Sequence, residues 1–534
     1  MISTTVIIIG GGATGSGVLR DLSMRGIPAI MLEQGGLAYG TSSRFHGLLH
    51  SGARYAVNDN ESAKECIEEN MILRKIGKHC VELTEGFFVQ TPEDDKEFAP
   101  KWLEGCKSAG IKTEEISLEE AFKLEPNLSR DISKVYKVPD SCIDGFRLVW
   151  QNAMSARKYG GDLYTYHKVI EIITESGKVK GVKALNKVTN EVVEFGCDYI
   201  VNASGSWAGE MVALSGLAPL PISPDRGTLI VFNHRFTSRV INRLHKSSDG
   251  DIFVPHGSVT ILGTTSAEAN APDDKTPTSQ EVKKLLDIGR VVFPYVDDYR
   301  ILRAFAGTRP LYGAKGAGRS ASRNFNIVNH TEEGLSGFVS IFGGKLTTYR
   351  LMAEKVSDVV ADMAGVTAKC RTADEPIIQD VSEHTISKAK KYFPQGAVNI
   401  VVDRIGADFE EVLNNIENSN EKNELICECE MVTLSEIKYV AKDAASYYLN
   451  DIRLRTRLGM GTCQGTFCSL RAIAALENEN IEMKLKPSDN IKNFLQERWN
   501  GLRPALWGGQ LREAELTRAI YLSTLNFDGE SYEA

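Results

Sequence analysis

Four of the ten cysteines stand in two close pairs near the carboxyl end of the chain, and their spacing suits a metal site. The pairs are Cys427-x-Cys429 and Cys463-x4-Cys468. Four thiolates bind either zinc or a 2Fe-2S cluster, and structural zinc sites more often have roughly two to four residues between the cysteines of a pair. A disulfide is disfavoured in a reducing cytosol. The spacing therefore predicts a metal site and leaves both metals open.

A glycine-rich turn near the amino end could hold a phosphate-bearing cofactor. The apolar run at residues 5–9 is followed by this turn, by a helical pattern and by a second strand that ends at Glu33. In this fingerprint the helix amino terminus faces a pyrophosphate, and the acid accepts hydrogen bonds from the adenosine ribose. The glycines that allow the tight turn, the close backbone approach and the helix packing are Gly10, Gly12 and Gly15.

The fingerprint does not separate FAD from NAD, because both cofactors contain the ADP half. Three later segments favour FAD: a hydroxyl-rich loop at residues 40–44, an apolar strand with a small-residue turn at 199–207, and a strand, double glycine and helix at 337–350. No second fingerprint supports NAD as electron acceptor. The cofactor-binding candidates in these segments are Thr41, Ser42, Ser43, Ala203, Gly205, Gly343, Gly344, Lys345, Leu346 and Thr347.

These and neighbouring segments resemble the FAD-dependent glycerol-3-phosphate dehydrogenases of the D-amino-acid-oxidase-like flavoprotein superfamily. The resemblance implies an α/β plus α+β fold, with a Rossmann-like FAD domain interleaved with an antiparallel-sheet substrate domain. It implies oxidation of sn-glycerol 3-phosphate to dihydroxyacetone phosphate by hydride transfer to flavin N5. The segments that carry the resemblance are VIIIGGGATGSG, FHGLLHSGARYAV, VNASGSWAG, ILGTTS, ILRAFAGTRPL and GGKLTTYRLMAE.

The substrate carries a phosphate with about two negative charges near neutral pH, so its site needs several fixed donors. Arginine supplies bidentate geometry for such a group. The resemblance implies that two arginines hold the phosphate, within a substrate-binding set of Arg54, Tyr55, Thr265, Arg309 and Lys345.

Oxidation also needs a base for the proton of the C2 hydroxyl, and His50 has a suitable intrinsic pKa. Arg309 and Lys345 would stabilise the developing alkoxide. His46 lies four residues before His50, but no acidic context accompanies the two as a metal site would require. Phe45 stands where related sequences have a polar amide, so we expect a changed hydrogen bond near the flavin edge.

The carboxyl-terminal cysteines resemble a bacterioferritin-associated-ferredoxin-like 2Fe-2S domain through the segments ICECE and MGTCQGTFC. The same fusion is typical of the catalytic subunits of anaerobic, multi-subunit glycerol-3-phosphate dehydrogenases. That resemblance favours a 2Fe-2S cluster over zinc. It also implies a quinone as final acceptor and two protein partners, namely a flavin-containing B subunit together with a membrane-docking iron–sulfur C subunit.

The chain has 534 residues, which is long enough for three or four domains. The helices and strands of these domains must position the residues named above. A capping box at Thr433 and Glu436 predicts a helix between the cysteine pairs, and residues 470–476 predict another after them, so both pairs would lie at loop-to-helix entries. We expect an FAD domain at 1–85, 145–225 and 330–370, a substrate domain at 86–144 and 226–329, a helical connector at 371–424, the 2Fe-2S domain at 425–480 and a helical tail at 481–534.

The net charge of −8 disfavours non-specific nucleic-acid binding, and no apolar run reaches the length of a transmembrane helix. We therefore expect a cytoplasmic protein, peripheral on the inner face of the membrane through partner subunits. An alternative is an amino-acid or 2-hydroxyacid dehydrogenase of the same superfamily, although one carboxylate needs fewer cations than this set supplies. Another alternative is a non-catalytic electron-transfer subunit.

Overall fold

The computed structural model of the protein describes residues 2–246, 248–313, 324–419 and 423–527. Part of the predicted substrate domain, of the connector and of the tail lies outside these residues. Numbered in chain order, the strands are β1 (Ile2–Ser3), β2 (Val6–Ile9), β3 (Ala29–Leu32), β4 (Leu48–Leu49), β5 (Val81–Glu82), β6 (Gly86–Gln90), β7 (Glu114–Ile116), β8 (Lys134–Val138), β9 (Ser141–Ile143), β10 (Asp162–Tyr164), β11 (His167–Glu175), β12 (Lys178–Asn186), β13 (Glu191–Gly196), β14 (Tyr199–Asn202), β15 (Ile222–Phe232), β16 (Val240–Arg243), β17 (Ile252–His256), β18 (Val259–Gly263), β19 (Ala267–Glu268), β20 (Ile301–Tyr312), β21 (Phe325–Asn329), β22 (Phe338–Gly343), β23 (Leu425–Cys427) and β24 (Val432–Thr433).

Helices pack on one face of the main parallel sheet, strands β11 to β13 pack on its other face, and helices form most of the carboxyl-terminal part. They are α1 (Ala13–Met24), α2 (Asn60–Ile76), α3 (Phe98–Ser108), α4 (Leu118–Leu124), α5 (Gly145–Lys158), α6 (Ala208–Ala213), α7 (Ser279–Val292), α8 (Tyr349–Met363), α9 (Glu383–Ala389), α10 (Ala397–Ile405), α11 (Phe409–Ser419), α12 (Leu434–Ala441), α13 (Leu449–Thr456), α14 (Cys468–Asn478), α15 (Pro487–Leu502) and α16 (Gly509–Thr524).

A six-stranded sheet in the order β10-β3-β2-β14-β22-β21 forms the dinucleotide half of the molecule. All pairs in it are parallel except β21 with β22. Its central strand β2 is the sequence VIII and is completely buried, as expected for a strand covered on both faces. The parallel pairing brings the carboxyl ends of β2, β3, β14 and β22 to one edge.

A second, mostly antiparallel sheet of nine strands forms the substrate half. Near one end of this sheet, β15 pairs with β18, β19 and β20. The pairing of β15 with β20 runs from Ile222 opposite Tyr312 to Phe232 opposite Ile301. Helix α7 packs its apolar side, including Val282 and Leu285, into the core beneath this sheet. The long pair of strands β15 and β20 places Arg309 where the nine-stranded sheet meets the six-stranded sheet.

The fold predicted from the sequence is confirmed, and most predicted elements coincide with observed ones. The capping box of α12 is present, with the Thr433 hydroxyl and backbone bonded to the Glu436 carboxylate. The domain boundaries stay a prediction, because strand pairing defines sheets rather than boundaries. The prediction that both cysteine pairs enter helices is half right. Cys468 begins α14, whereas Cys427 ends strand β23, because residues 425–433 pair as a hairpin before α12 starts.

The carboxyl-terminal helices pack onto the dinucleotide half through buried polar contacts. The Tyr166 hydroxyl donates to Asp451 at 2.8 Å, and Arg157 pairs with Asp443 at 2.6 Å. The Arg455 guanidinium lies 4.1 Å from the centre of the Trp150 ring. Within the described residues, no helix has both the length and the apolar character needed to cross a membrane.

The turn after β2 depends on Gly15, and a side chain there should disrupt it. A Cβ on Gly15 would lie 1.9 Å from the carbonyl oxygen of Gly10. Because backbone must move to relieve this clash, we expect Gly15→Ala to lower the free energy of unfolding by about 3 kcal/mol, the upper end of overpacking penalties. Urea unfolding of the purified protein measures this. Gly509→Ala is the control, since a Cβ there meets nothing within 4 Å; equal midpoints for the two variants would contradict the prediction.

Candidate active site

A cavity of about 1070 Å³ lies at the carboxyl ends of β2, β14 and β22. Its walls also include the loops after β3 and β4 and the inner side of β15 and β20. In open α/β sheets, ligands bind in the crevice outside the carboxyl ends of the strands. The cavity therefore lies where the fold is expected to place its cofactor.

The glycine turn forms the floor of this cavity. Gly10 has a φ of +114°, and a Cβ on it would lie 2.6 Å from the Ala203 carbonyl oxygen. A Cβ on Gly12 would lie 2.9 Å from the Ser42 hydroxyl, which accepts a hydrogen bond from the Ala13 amide at 2.9 Å. The turn thus presents backbone, rather than side chains, at the amino terminus of α1, as phosphate binding requires.

Glu33 occupies the end of β3 and lines the cavity. Its two carboxylate oxygens accept hydrogen bonds from the Gly11 amide at 2.7 Å and the Gly35 amide at 2.8 Å. Burial raises the pKa of Glu33, while these two amides oppose the shift. The carboxylate is therefore held in a fixed orientation toward the position expected for an adenosine ribose.

Most residues predicted for the site lie together in the lining of the cavity. Those that do are Gly10, Gly12, Glu33, Thr41, Ser42, His50, Arg54, Tyr55, Ala203, Gly205, Arg309, Gly343, Gly344, Lys345, Leu346 and Thr347.

Three predicted residues lie outside the lining. Gly15 packs beneath the turn, and Ser43 lines a neighbouring cavity. The Thr265 hydroxyl points away, since it accepts from the Thr228 amide at 2.9 Å and donates to Glu281 at 3.1 Å. Thr264 lines the cavity instead. Thr265 acts through its backbone, because its carbonyl oxygen accepts a hydrogen bond from Arg309 at 3.0 Å.

The two predicted phosphate ligands are each held by a buried carboxylate. Arg54 pairs with Asp251 at 2.8 Å, and Arg309 pairs with Asp225. Burial alone would raise the pKa of Asp251, but Arg54 and His245 outweigh it and hold that pKa below its usual range. Both carboxylates fix the direction of a guanidinium group, whose planar fork of donors suits an oxyanion.

Lys345 completes the cationic end of the cavity. Its ammonium donates to the Ser62 hydroxyl at 3.0 Å and lies 4.7 Å from the centre of the Tyr55 ring. The positive φ values of Gly343 and Gly344, +82° and +69°, turn the chain between β22 and α8 so that Lys345 faces the cavity. Arg54, Arg309 and Lys345 thus meet in space although they are far apart in the chain.

His50 lies among these cations. Its ring centre is 6.0 Å from that of His46 and 5.7 Å from that of Tyr55. Desolvation, followed by His46, Arg54 and Lys345, lowers the pKa of His50 well below its ordinary value. Burial and the two arginines lower the pKa of His46 to about 3. His50 is therefore a neutral imidazole near neutral pH, in the state that accepts a proton.

Several residues of the site escaped the sequence reasoning. Asp225 and Asp251 are ordinary acids in the sequence, and only the fold shows that they hold arginines. Gly227 lies against the Arg309 guanidinium, where a Cβ would be 2.4 Å from Nη2. Lys246 adds a further cation to the lining. No spacing or motif marks these positions, because their partners are distant in the chain.

The residues present fit a bound FAD. The glycine turn gives a backbone cradle, Glu33 ends the strand beside it, and Gly205 faces open space, where a Cβ would meet nothing within 4 Å. Ser206 lines the same wall, and its hydroxyl donates to the Thr308 carbonyl at 3.0 Å. An extended crevice that runs from the ribose-binding acid to the cationic cluster matches a dinucleotide with its reactive ring beside the substrate.

The four carboxyl-terminal cysteines are brought into one neighbourhood as two hydrogen-bonded pairs. Cys427 pairs with Cys468, and Cys429 pairs with Cys463. The hydrogen bond from Cys468 lowers the pKa of Cys427. Across the described residues, no group of three or more histidine, cysteine or acidic side chains is arranged so that it could hold a metal ion. Four thiols are a donor set that iron–sulfur clusters use, and in this structure the thiols are hydrogen-bonded in two pairs.

Comparison with known proteins agrees with the geometry. The FAD dependent oxidoreductase family model matches residues 5–350. The A1 subunit of the anaerobic glycerol-3-phosphate dehydrogenase of Haloferax volcanii is 41% identical, with 98% of this chain and 91% of that protein aligned. The corresponding A subunit of the Escherichia coli K12 enzyme is also 41% identical, with 100% and 98% aligned. The fold is shared with glycerol-3-phosphate dehydrogenase from Bacillus halodurans complexed with FAD, with a TM-score of 0.70, 21% identity and coverage of 95% and 96%. The chain therefore belongs to the FAD dependent oxidoreductase family and, within it, to the family of A subunits of anaerobic glycerol-3-phosphate dehydrogenases.

Proposed function

We propose that this protein is an FAD-dependent glycerol-3-phosphate dehydrogenase that oxidises sn-glycerol 3-phosphate to dihydroxyacetone phosphate. The observation that carries the proposal is the convergence of Arg54, Arg309 and Lys345 at one end of the dinucleotide cavity. Three fixed cations suit a phosphate with about two negative charges. The relatives at 41% identity over nearly the full chain support the same activity.

In this proposal the chain binds the cofactor and orients the substrate. Gly10, Gly12 and Glu33 hold the ADP half, and residues 203–205 and 343–347 line its remaining length. When bound, the flavin supplies the acceptor for the hydride from C2 of the substrate. Arg54 and Arg309 hold the phosphate, which fixes C2 relative to the rest of the cavity. Lys345 and Arg309 stabilise negative charge that develops on the C2 oxygen.

His50 is the proposed base. Its backbone amide donates to the Thr347 hydroxyl at 3.1 Å, which fixes the loop that carries the ring beside the late glycine turn. Arg54, one of the groups that lower the pKa of His50 in the free protein, is a cation that the bound phosphate dianion would neutralise. Substrate binding therefore raises the proton affinity of His50 at the point where it must take the hydroxyl proton.

The four paired cysteines are proposed to hold a 2Fe-2S cluster. Metal–thiolate bonds would replace the hydrogen bonds between Cys427 and Cys468 and between Cys429 and Cys463. A cluster there would provide one-electron acceptors on the route out of the flavin cavity. We keep the boundaries of its domain, 425–480, as part of this proposal.

Electrons are proposed to leave to partner subunits and a quinone. The two relatives named above are each designated as one subunit of an enzyme. Next to the cysteines, Phe467 is 66% exposed and Leu470 is 41% exposed, so an apolar surface is available for a partner. A flavin-containing B subunit, together with an iron–sulfur C subunit that docks at the membrane, would place this chain on the inner face of the cell membrane.

His50→Asn should slow anaerobic flavin reduction by glycerol 3-phosphate by a factor of about 100 or more, the usual contribution of a general base. In the wild type, the lowered pKa of His50 means that protonation of its imidazole reduces kcat/KM only below pH 6.5, in addition to the effect of protonating the substrate phosphate. Stopped-flow measurements across pH test both effects. Any pH dependence left in His50→Asn belongs to the substrate phosphate. A wild-type rate in His50→Asn would exclude His50 as the base.

Arg54→Gln and Arg309→Gln should each raise KM for glycerol 3-phosphate by about 10- to 100-fold, because each removes a charged hydrogen-bond donor to the phosphate. Steady-state kinetics with an artificial dye acceptor measures this. Arg226→Gln is the control, since Arg226 lies on β15, the strand paired with the one that carries Arg309, and has two carboxylate partners but lies outside the cavity lining. Adding Asp251→Asn to Arg54→Gln removes the charge of the acid that has lost its arginine. Unchanged KM values would contradict the phosphate assignment.

Cys427→Ser and Cys463→Ser should abolish iron and acid-labile sulfide in anaerobically purified protein while leaving flavin reduction by substrate intact. The reason is that each thiolate is a proposed cluster ligand, whereas the flavin cavity contains none of the four. Cys66→Ser is the control, because Cys66 is a buried single cysteine on α2. Metal analysis and electron paramagnetic resonance report the result. Zinc in place of iron in the wild type would show that the competing metal assignment is correct.

A further inference from the structure

A second cavity of about 460 Å³ separates the flavin-binding half from the carboxyl-terminal helices. Its lining combines Phe45 from the loop after β3 with Arg457 and Gln464 from the cysteine-bearing part. Tyr39, Arg44 and Phe45 line both cavities. The second cavity therefore lies directly behind the wall of the first one, on the side of the cysteines.

Three arginines from different parts of the chain line this second cavity: Arg44, Arg303 and Arg453. They share one carboxylate, Glu497, which lies 2.9 Å from Arg453 and 4.0 Å from Arg303. The Arg303 and Arg453 side chains are only 15% and 9% exposed. Within the part of the chain that the structure describes, three guanidinium charges against one carboxylate leave an excess of two positive charges in a mostly buried place.

The two other charged residues of the lining do not supply that counter-charge. Arg457 is already paired with Asp144 at 3.3 Å and with Glu430 at 2.8 Å. Asp451 accepts the hydroxyl of Tyr166 and the amides of residues 447 and 448. Arg457 and Asp451 are therefore engaged with partners outside the cluster of Arg44, Arg303 and Arg453.

The N–H groups of the three arginines also have few hydrogen-bond acceptors among the described residues. Among the described residues, no oxygen accepts a hydrogen bond from the Arg303 guanidinium, and its Nε is buried, as is the unpaired Nε of Arg453. Arg44 has only long hydrogen bonds, to the Tyr39 carbonyl at 3.4 Å and the Ala306 carbonyl at 3.3 Å. Burial and the neighbouring Arg453 lower the pKa of Arg303 to about 9. Buried charges in proteins are normally paired, because an unpaired one is strongly destabilising.

We propose that this second cavity is a binding site for an oxyanion, phosphate or carboxylate, carried on an apolar body. Three guanidinium groups that converge on one space offer the planar donor forks that bind such groups bidentately. Part of the wall is apolar and suits the body of the ligand, with Phe45, Ile143, Val231, Ile261 and Phe305 in the lining. The volume lies within the range of small-molecule pockets, about 300–1,000 Å³. Anion binding in the second cavity does not depend on which substrate the flavin site takes.

The test uses isothermal titration calorimetry of the FAD-containing protein at constant ionic strength, with inorganic phosphate, phenyl phosphate and benzoate as probes. All proteins carry Arg54→Gln, so that the substrate site contributes little. We expect this background to bind phenyl phosphate or benzoate at least tenfold more tightly than inorganic phosphate. Tighter binding of phenyl phosphate would indicate a phosphate ligand, and tighter binding of benzoate would indicate a carboxylate ligand. Adding Arg303→Gln should weaken binding at least tenfold, whereas adding Arg512→Gln, an exposed arginine on α16, should not.

A second measurement separates an anion site from a merely structural cluster. Because the Arg303 charge is only weakly paired, Arg303→Gln should leave the melting temperature of the anion-free protein unchanged or higher, and a structural role predicts a clear fall. If Arg303→Gln does not retain flavin, Arg303→Lys is used instead. This variant keeps the positive charge but loses the planar pair of donors, so it should bind the probe with intermediate affinity. No binding of any probe in the Arg54→Gln background, or equal affinity after Arg303→Gln, would overturn the proposal.

Discussion

Three strands that are far apart in the chain, β2, β14 and β22, pair in parallel, and this pairing determines where everything else in the molecule can act. Parallel strands end at the same edge, so the turns after residues 9, 202 and 343 must meet there. Each of these turns contains small residues, which leave room for a ligand beside the backbone. The long insertions between the strands are thereby forced to form the second sheet over the same edge.

The electrostatics of the site follow from this arrangement. Arg309 and Asp225 lie opposite each other on paired strands β20 and β15, and Arg54 meets Asp251 next to β17. Each of these two arginines is oriented by a carboxylate that is itself buried, so both are held in place before substrate arrives. Burial, followed by His46, Arg54 and Lys345, lowers the pKa of His50 and keeps it neutral. An anionic substrate would both satisfy the cluster and make His50 a better proton acceptor, which couples recognition to chemistry.

Several of the contacts that join the carboxyl-terminal part to this core are made by arginines. Arg455 lies over Trp150, and Arg457 bridges Asp144 to Glu430, which follows Cys429 by one residue. Asp144 also caps helix α5, which packs on the dinucleotide half. The cysteines are therefore tied to the flavin cavity through short, charged contacts, while Phe467 and Leu470 leave their outer side apolar and exposed.

The sequence by itself determined the dinucleotide turn with its flanking strands, the capping box of α12 and the sixteen predicted residues that line the cavity. It could do so because periodicity, turn chemistry and capping are local properties of the chain. Only the tertiary structure decided which acids hold Arg54 and Arg309, that Thr264 rather than Thr265 faces the cavity, and that Cys427 ends a strand. It alone brought Arg44, Arg303 and Arg453 together. Such pairings join residues from distant stretches of the chain, and the field that each charge feels depends on burial and neighbours that exist only after folding.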